Sequence, residues 1–269
     1  MTSDSYRLSA GRHARAGQGR CAMEWVAHLA GETHSDRPDC VSPVVGAFAR
    51  SWNDALDDST RQRLRPYLGR MIGTAGDGHD EARAWRCADW LARTGAPELL
   101  SLSGLADQAA ALRGLRPIRD AASARAAADP VVAVAEAAAA RRGEARGAAR
   151  EETGEAGWGP ALDGVRWATR LATRESGLDA ARAALRAAAR DHVRDGLTGT
   201  AWGAAWNAAW AAAWAAIPGS PSARLAPTLA GLQGSAFGLL ADLLPGEVLE
   251  LGSDGPALEP LVLAGRLPA

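Results

Sequence analysis

Apolar positions recur along most of this 269-residue chain at spacings of three and four, the signature of helices with one buried face. Met23, Val26 and Leu29 mark a first helix, closed by Gly31. Ser42 followed by Pro43 reads as an N-cap and first helical position, opening a helix through Val45, Phe48 and Trp52 that ends near Asn53. A third helix is expected after Asp58-Ser59, with Pro66 bending it or marking its true start. Glycines 73 to 78 form a loop before a helix through Trp85, Ala88 and Leu91, and shorter helices are expected at 97–102 and 104–114.

Beyond residue 118 the text turns to low-complexity alanine. Helices are predicted over 119–128 and 131–150, broken at Pro130, then over 161–175, 178–195, 201–217 and 223–244. No stretch of useful length alternates with period two. The pattern therefore predicts an all-α fold, a helical bundle of about eight to ten helices with Ala/Trp-rich packing in the C-terminal half. Four regions are expected. Residues 1–19 lack an apolar period and read as a disordered N-terminal tail, and 20–150 form an N-terminal helical region. After a glycine- and acid-rich linker, EETGEAGWGP at 151–160, an Ala/Trp-rich bundle region spans 160–245, and 246–269 reads as an irregular tail.

Composition sharpens this picture. All 30 basic residues are arginine, which with the abundant alanine pushes the chain toward helix. Ten tryptophans stand against two phenylalanines and two tyrosines, so large rings must fill the space that an alanine core leaves. Trp202, Trp206, Trp210 and Trp214 recur every fourth residue and cover roughly 120° of one helix face, the width of an ordinary buried stripe. A net charge of −1 gives no field toward nucleic acid or anionic lipid, and no arginine lies between 201 and 217 to support base stacking on that ladder. No apolar run is long enough to span a membrane, and no secretory h-region opens the chain. Three cysteines are too few for a disulfide framework, so a reducing, cytoplasmic setting is expected.

Chemistry concentrates between residues 21 and 40. Cys21 and Glu24 share one face of the first helix, and Glu32, His34, Asp36 and Cys40 follow in its loop. Thiolate, imidazole and carboxylate together suit zinc or iron, with Cys21, Glu24, Asp36 and Cys40 as ligands, or a thiol nucleophile served by a base. Cys40 lies just before a helix start, where the helix dipole is expected to lower a thiol pKa. The satisfied-loop alternative makes Cys21 a small buried hydrophobe and Asp36 a capping acid. His79-Asp80 is a common dipeptide at a glycine-rich helix start, where a cap explains it; with His34 and Asp191 it also spells a metal-phosphohydrolase set. GTAGDG lacks the Lys-Ser/Thr of a phosphate loop, and no G-x-S-x-G occurs.

The text CAMEWVAHLAGETHSDRPDCVSPVVGAFARSWNDAL at 21–56, continued through Met71-Ile72-Gly73-Thr74, Ala84-Trp85, Ala88-Asp89-Trp90-Leu91 and the closing APTLAGLQGSAFGLL, resembles a family of uncharacterised proteins of actinobacteria and their phages. The resemblance runs close to full length. It implies a shared thiol and carboxylate set, Cys21, Glu24, Glu32, Asp36 and Cys40; relatives often carry Trp where this chain has His34, and His79-Asp80 lies outside the pattern. The family has no established activity. Two functions are thus expected to compete. One is an enzyme or metalloprotein centred on 21–40. The other is a helical scaffold or adaptor, a homo-oligomer or the partner of another protein, with Arg166, Arg170 and Arg174 at four-residue spacing as one contact face.

Overall fold

The computed structural model describes residues 7–246, and among these there is no strand. Nine α-helices of seven or more residues form the fold, with two four-residue turns of helix between them. The N-terminal half holds α1 (Ala22–Leu29), α2 (Pro43–Ala55), the short α3 (Asp58–Arg61) and α4 (Leu68–Met71), α5 (Asp80–Trp90), α6 (Ala96–Leu102) and α7 (Ala106–Arg113). The rest is α8 (Ala121–Glu175), α9 (Leu178–Ala187), α10 (His192–Trp214) and α11 (Pro221–Asp242). Ser42 caps α2 as expected, its Oγ accepting from the backbone N–H groups of Val44 and Val45. Pro66 sits inside a tight 3-10 turn, Gln62–Tyr67, that joins α3 to α4.

Three local expectations give way to tertiary packing. Pro130 does not break its helix: Ala124, Ala127, Val131 and Val134 line a buried stripe on both sides of it. Continuity of that stripe outweighs the roughly 3 kcal/mol that an interior proline costs. The stretch 151–160 is not a free linker. It stays helical around one kink at Gly154, whose φ of 59° only glycine adopts readily, and Trp158 stacks on Trp214 at 4.9 Å. Residues 7–20 are no loose tail either: Leu8 is buried, its N–H donates to Gln62 Oε1 at 2.9 Å, and Ser9 N–H donates to the Arg20 carbonyl at 2.8 Å. The C-terminal tail expected at 246–269, like residues 1–6, lies outside the described residues except for Gly246.

The two regions read as separate share one core. The longest seam is α8 against α10, where Ala201, Ala204, Ala205, Ala208 and Ala209 let the backbones approach closely. On the other side α2 packs along α9. Trp52 joins the halves: it is fully buried, sits 4.5 Å from Phe237 of α11, and its indole N–H donates to the Glu175 carbonyl at 3.1 Å. Gly177, at φ 89°, turns the chain from α8 into α9 where an added Cβ would lie 2.6 Å from Ala236 Cβ. Arginines close the end of α11. Arg83 Nε donates to the Leu243 carbonyl at 2.8 Å, Arg70 Nε to that of Pro245 at 3.0 Å, and Arg86 to that of Asp242. Cations there satisfy the orphan carbonyls and oppose the negative end of the helix dipole.

Candidate functional site

The segment singled out by its chemistry is built around two carboxylates. Helix α1 starts at Cys21 because Cys21 and Glu24 make a capping box: the thiol sulfur accepts from the Glu24 N–H, and the carboxylate accepts from the Cys21 N–H at 2.8 Å. Glu24 is fully buried yet takes two further donors from the N-terminal segment, the His13 N–H at 2.6 Å and the His13 ring Nδ1 at 2.8 Å. His34 closes the group. Its Nε2 donates to the His13 carbonyl at 2.9 Å and lies 3.6 Å from Glu24 Oε1. Burial pushes the Glu24 carboxyl up, but the backbone donors of His13 and Cys21 and the His13 ring outweigh it, holding the group below the ordinary glutamate value. Glu24 is therefore an ionised hub that fastens 7–20 and the loop at 31–40 onto α1.

Glu32 does the same work one loop later. Its two oxygens accept from the backbone N–H groups of Asp39 and Cys40, both at 2.8 Å, which sets the turn before α2. The Cys40 carbonyl then accepts from Gly73 at 3.0 Å and Ala75 at 3.2 Å, tying this turn to the glycine loop. Asp36 faces Arg12 at 3.7 Å through its carboxylate and Arg50 at 3.2 Å through its carbonyl. The structure thus makes two pairs, Cys21 with Glu24 and Cys40 with Glu32, each a local cap.

The thiols carry the opposite of the expected activation. Burial, reinforced by the neighbouring carboxylates, pushes Cys21 and Cys40 up to about 12, and burial alone does so for Cys87. The dipole effect expected at Cys40 loses because Ser42, not Cys40, occupies the cap of α2, and because Glu32 stands beside the sulfur. Among the described residues no three His, Cys, Asp or Glu side chains are arranged to hold a metal ion. The residues around His79 are spent separately. Asp80 accepts from Ser42 Oγ and pairs with Arg83 at 3.2 Å, Asp191 caps α10, and His34 leans on His13.

His13 is the member that the sequence does not announce. It lies in a stretch with no apolar period, and only its packing onto α1 brings it to Glu24. Comparison with protein-family models, with curated proteins and with solved structures gives no match.

Proposed function

We propose that this chain is a helical scaffold that works by contact with another protein, and that residues 21–40 are its structural clasp. One observation carries the reading: Trp167, on the outer face of α8, is 66% exposed, with Arg166 and Arg170 exposed around it. In a chain that buries Trp52 and Trp214 almost completely, leaving one indole in solvent among arginines is the pattern of an interface anchor. The clasp reading fits beside it, because Glu24 and Glu32 are occupied by backbone donors and the thiols are held protonated. The test is affinity capture from the source cells together with light scattering, comparing wild type with Trp167→Asp. A partner or self-association lost in the variant is expected. An identical captured set, or a monomer that captures nothing in either form, would overturn the reading.

A thiol or metal centre at 21–40 remains the competing function, favoured by the approach of two imidazoles, His13 and His34, to Glu24 beside Cys21. Zinc or iron there would first have to draw Glu24 away from the Cys21 and His13 backbone donors. Metal content by mass spectrometry, in wild type and in a Cys21→Ala/Cys40→Ala protein, decides it: near-stoichiometric metal lost on substitution would favour the centre.

A further inference from the structure

The tryptophan ladder has no arginine in its own sequence, but neighbouring helices bring arginines onto it. Arg182 of α9 lies 4.2 Å from the Trp202 ring centre, and Arg142 of α8 lies 4.5 Å from that of Trp210. Arg146 and Arg150, one and two turns further along α8, lie 5.6 and 5.0 Å from Trp158. The rings themselves are continuous. Trp202 stacks on Trp206 at 5.2 Å, Trp206 meets Trp210 and Trp210 meets Trp214 at 6.1 Å each, and Trp214 stacks on Trp158. Twelve residues of α10 separate the first ladder ring from the last, a seam about 18 Å long.

Two features of this seam point outward. First, most of its cations have no paired carboxylate among the described residues. Arg141 pairs with Glu144 at 3.4 Å and Arg166 with Asp163 at 3.6 Å, whereas Arg142, Arg146, Arg150 and Arg186 have no carboxylate partner among the described residues; Arg182 feels Asp179, whose carboxylate accepts from the Trp202 indole N–H at 3.1 Å. Two pairs of like charges crowd there: burial and Arg146 lower the pKa of Arg142, and burial and Arg186 lower that of Arg182 against the opposing pull of Asp179. Second, Arg146 and Arg150 are held against a ring face with no hydrogen-bond acceptor among the described residues, while Arg142 donates to Asn207 Oδ1 at 3.1 Å.

We propose that this arginine–tryptophan seam is the docking surface for an acidic, leucine-bearing segment of a partner protein, an inference that rests on the contact function proposed above. Carboxylates of the segment take the exposed guanidiniums of Arg146 and Arg150, and its apolar side chains cover the half-buried rings of Trp202 and Trp206. A discontinuous acidic segment fits better than a nucleic-acid backbone. Glu151, Glu152 and Glu155 are exposed on the same helix and would repel a continuous row of phosphates, and the chain as a whole carries a charge of −1.

The test uses the full chain and fluorescence anisotropy. The probe is a fluorescein-labelled Glu/Leu peptide of about 12 residues, matching the seam as a helix, beside a Gln/Leu peptide and an oligothymidylate. The Glu/Leu peptide is expected to bind most tightly, to weaken with salt, and to lose at least about tenfold in affinity with Arg146→Glu/Arg150→Glu. Both arginines are exposed, so the fold should survive, and circular dichroism checks it. Equal binding of the Gln/Leu peptide, tighter binding of the oligothymidylate, or indifference to the charge reversal would overturn the proposal. So would binding that emerges only after removal of residues 247–269, which would assign the seam to this chain's own acidic end. Failure of the peptide with a Trp167-dependent partner still captured would remove the seam and leave the scaffold standing.

Discussion

The 21–40 clasp and the α8–α10 seam spend their polar groups in opposite directions. In the clasp, Glu24 and Glu32 face inward and accept from the backbone N–H groups of His13, Cys21, Asp39 and Cys40, so the residues that look most chemical are consumed in building the chain path. In the seam, alanine does the building, and Arg146 and Arg150 lie exposed at its rim with no carboxylate partner among the described residues. A distinctive motif is therefore not by itself a reactive one. Whether a carboxylate or a thiol can act depends on what its atoms already hold.

Substitutions in each region separate their roles. The largest effect is expected at the inner end of the seam: Trp214→Ala removes a fully buried ring that stacks on Trp158, and should cost about 4 kcal/mol in urea unfolding. A much smaller loss would mean that the alanine helices pack without their rings. Next comes the clasp. Glu24→Ala leaves the Cys21 and His13 donors unpaired in a buried place, an expected loss of about 3 kcal/mol. Its pH dependence has a definite sign. Glu24 titrates lower when folded than when unfolded, so its contribution is complete above the ordinary glutamate pKa, about 4.3, and fades as the pH falls below it. Glu24→Gln should therefore flatten the acid side of the stability profile relative to wild type; parallel profiles would show that the charge contributes nothing. The smallest effect is at the surface, where Trp167→Asp should change stability by no more than about 0.5 kcal/mol while abolishing association.

The fold was legible wherever the signal is local. Ser42-Pro43 opens α2 because a cap and a first-turn proline act within one turn, and the four-residue tryptophan spacing marked a packing face that Trp210 and Trp214 do bury. What stayed hidden depends on partners distant in sequence. Leu8 is one apolar residue among polar ones and carries no period, so its burial against the core could not be seen. The glycines of 151–160 signal a linker, but Trp158 finds Trp214 more than fifty residues away and the helix persists around Gly154. Likewise the ladder reads as free of arginine along the chain, and only the packing of α8 and α9 supplies it. At the candidate site the Cys21–Glu24 spacing was legible. Its role was not, because a capping box and half of a metal site share the same spacing.

Thiol reactivity tests the clasp most directly. The folded protein at neutral pH is treated with iodoacetamide and labelling is located by mass spectrometry. With Cys21 and Cys40 pushed up to about 12, alkylation of both should be far slower than that of a free thiol and should accelerate only on unfolding. Rapid, stoichiometric labelling of Cys40 in the folded state would mean an activated thiolate beside Glu32. It would turn residues 21–40 from a clasp into a reactive centre.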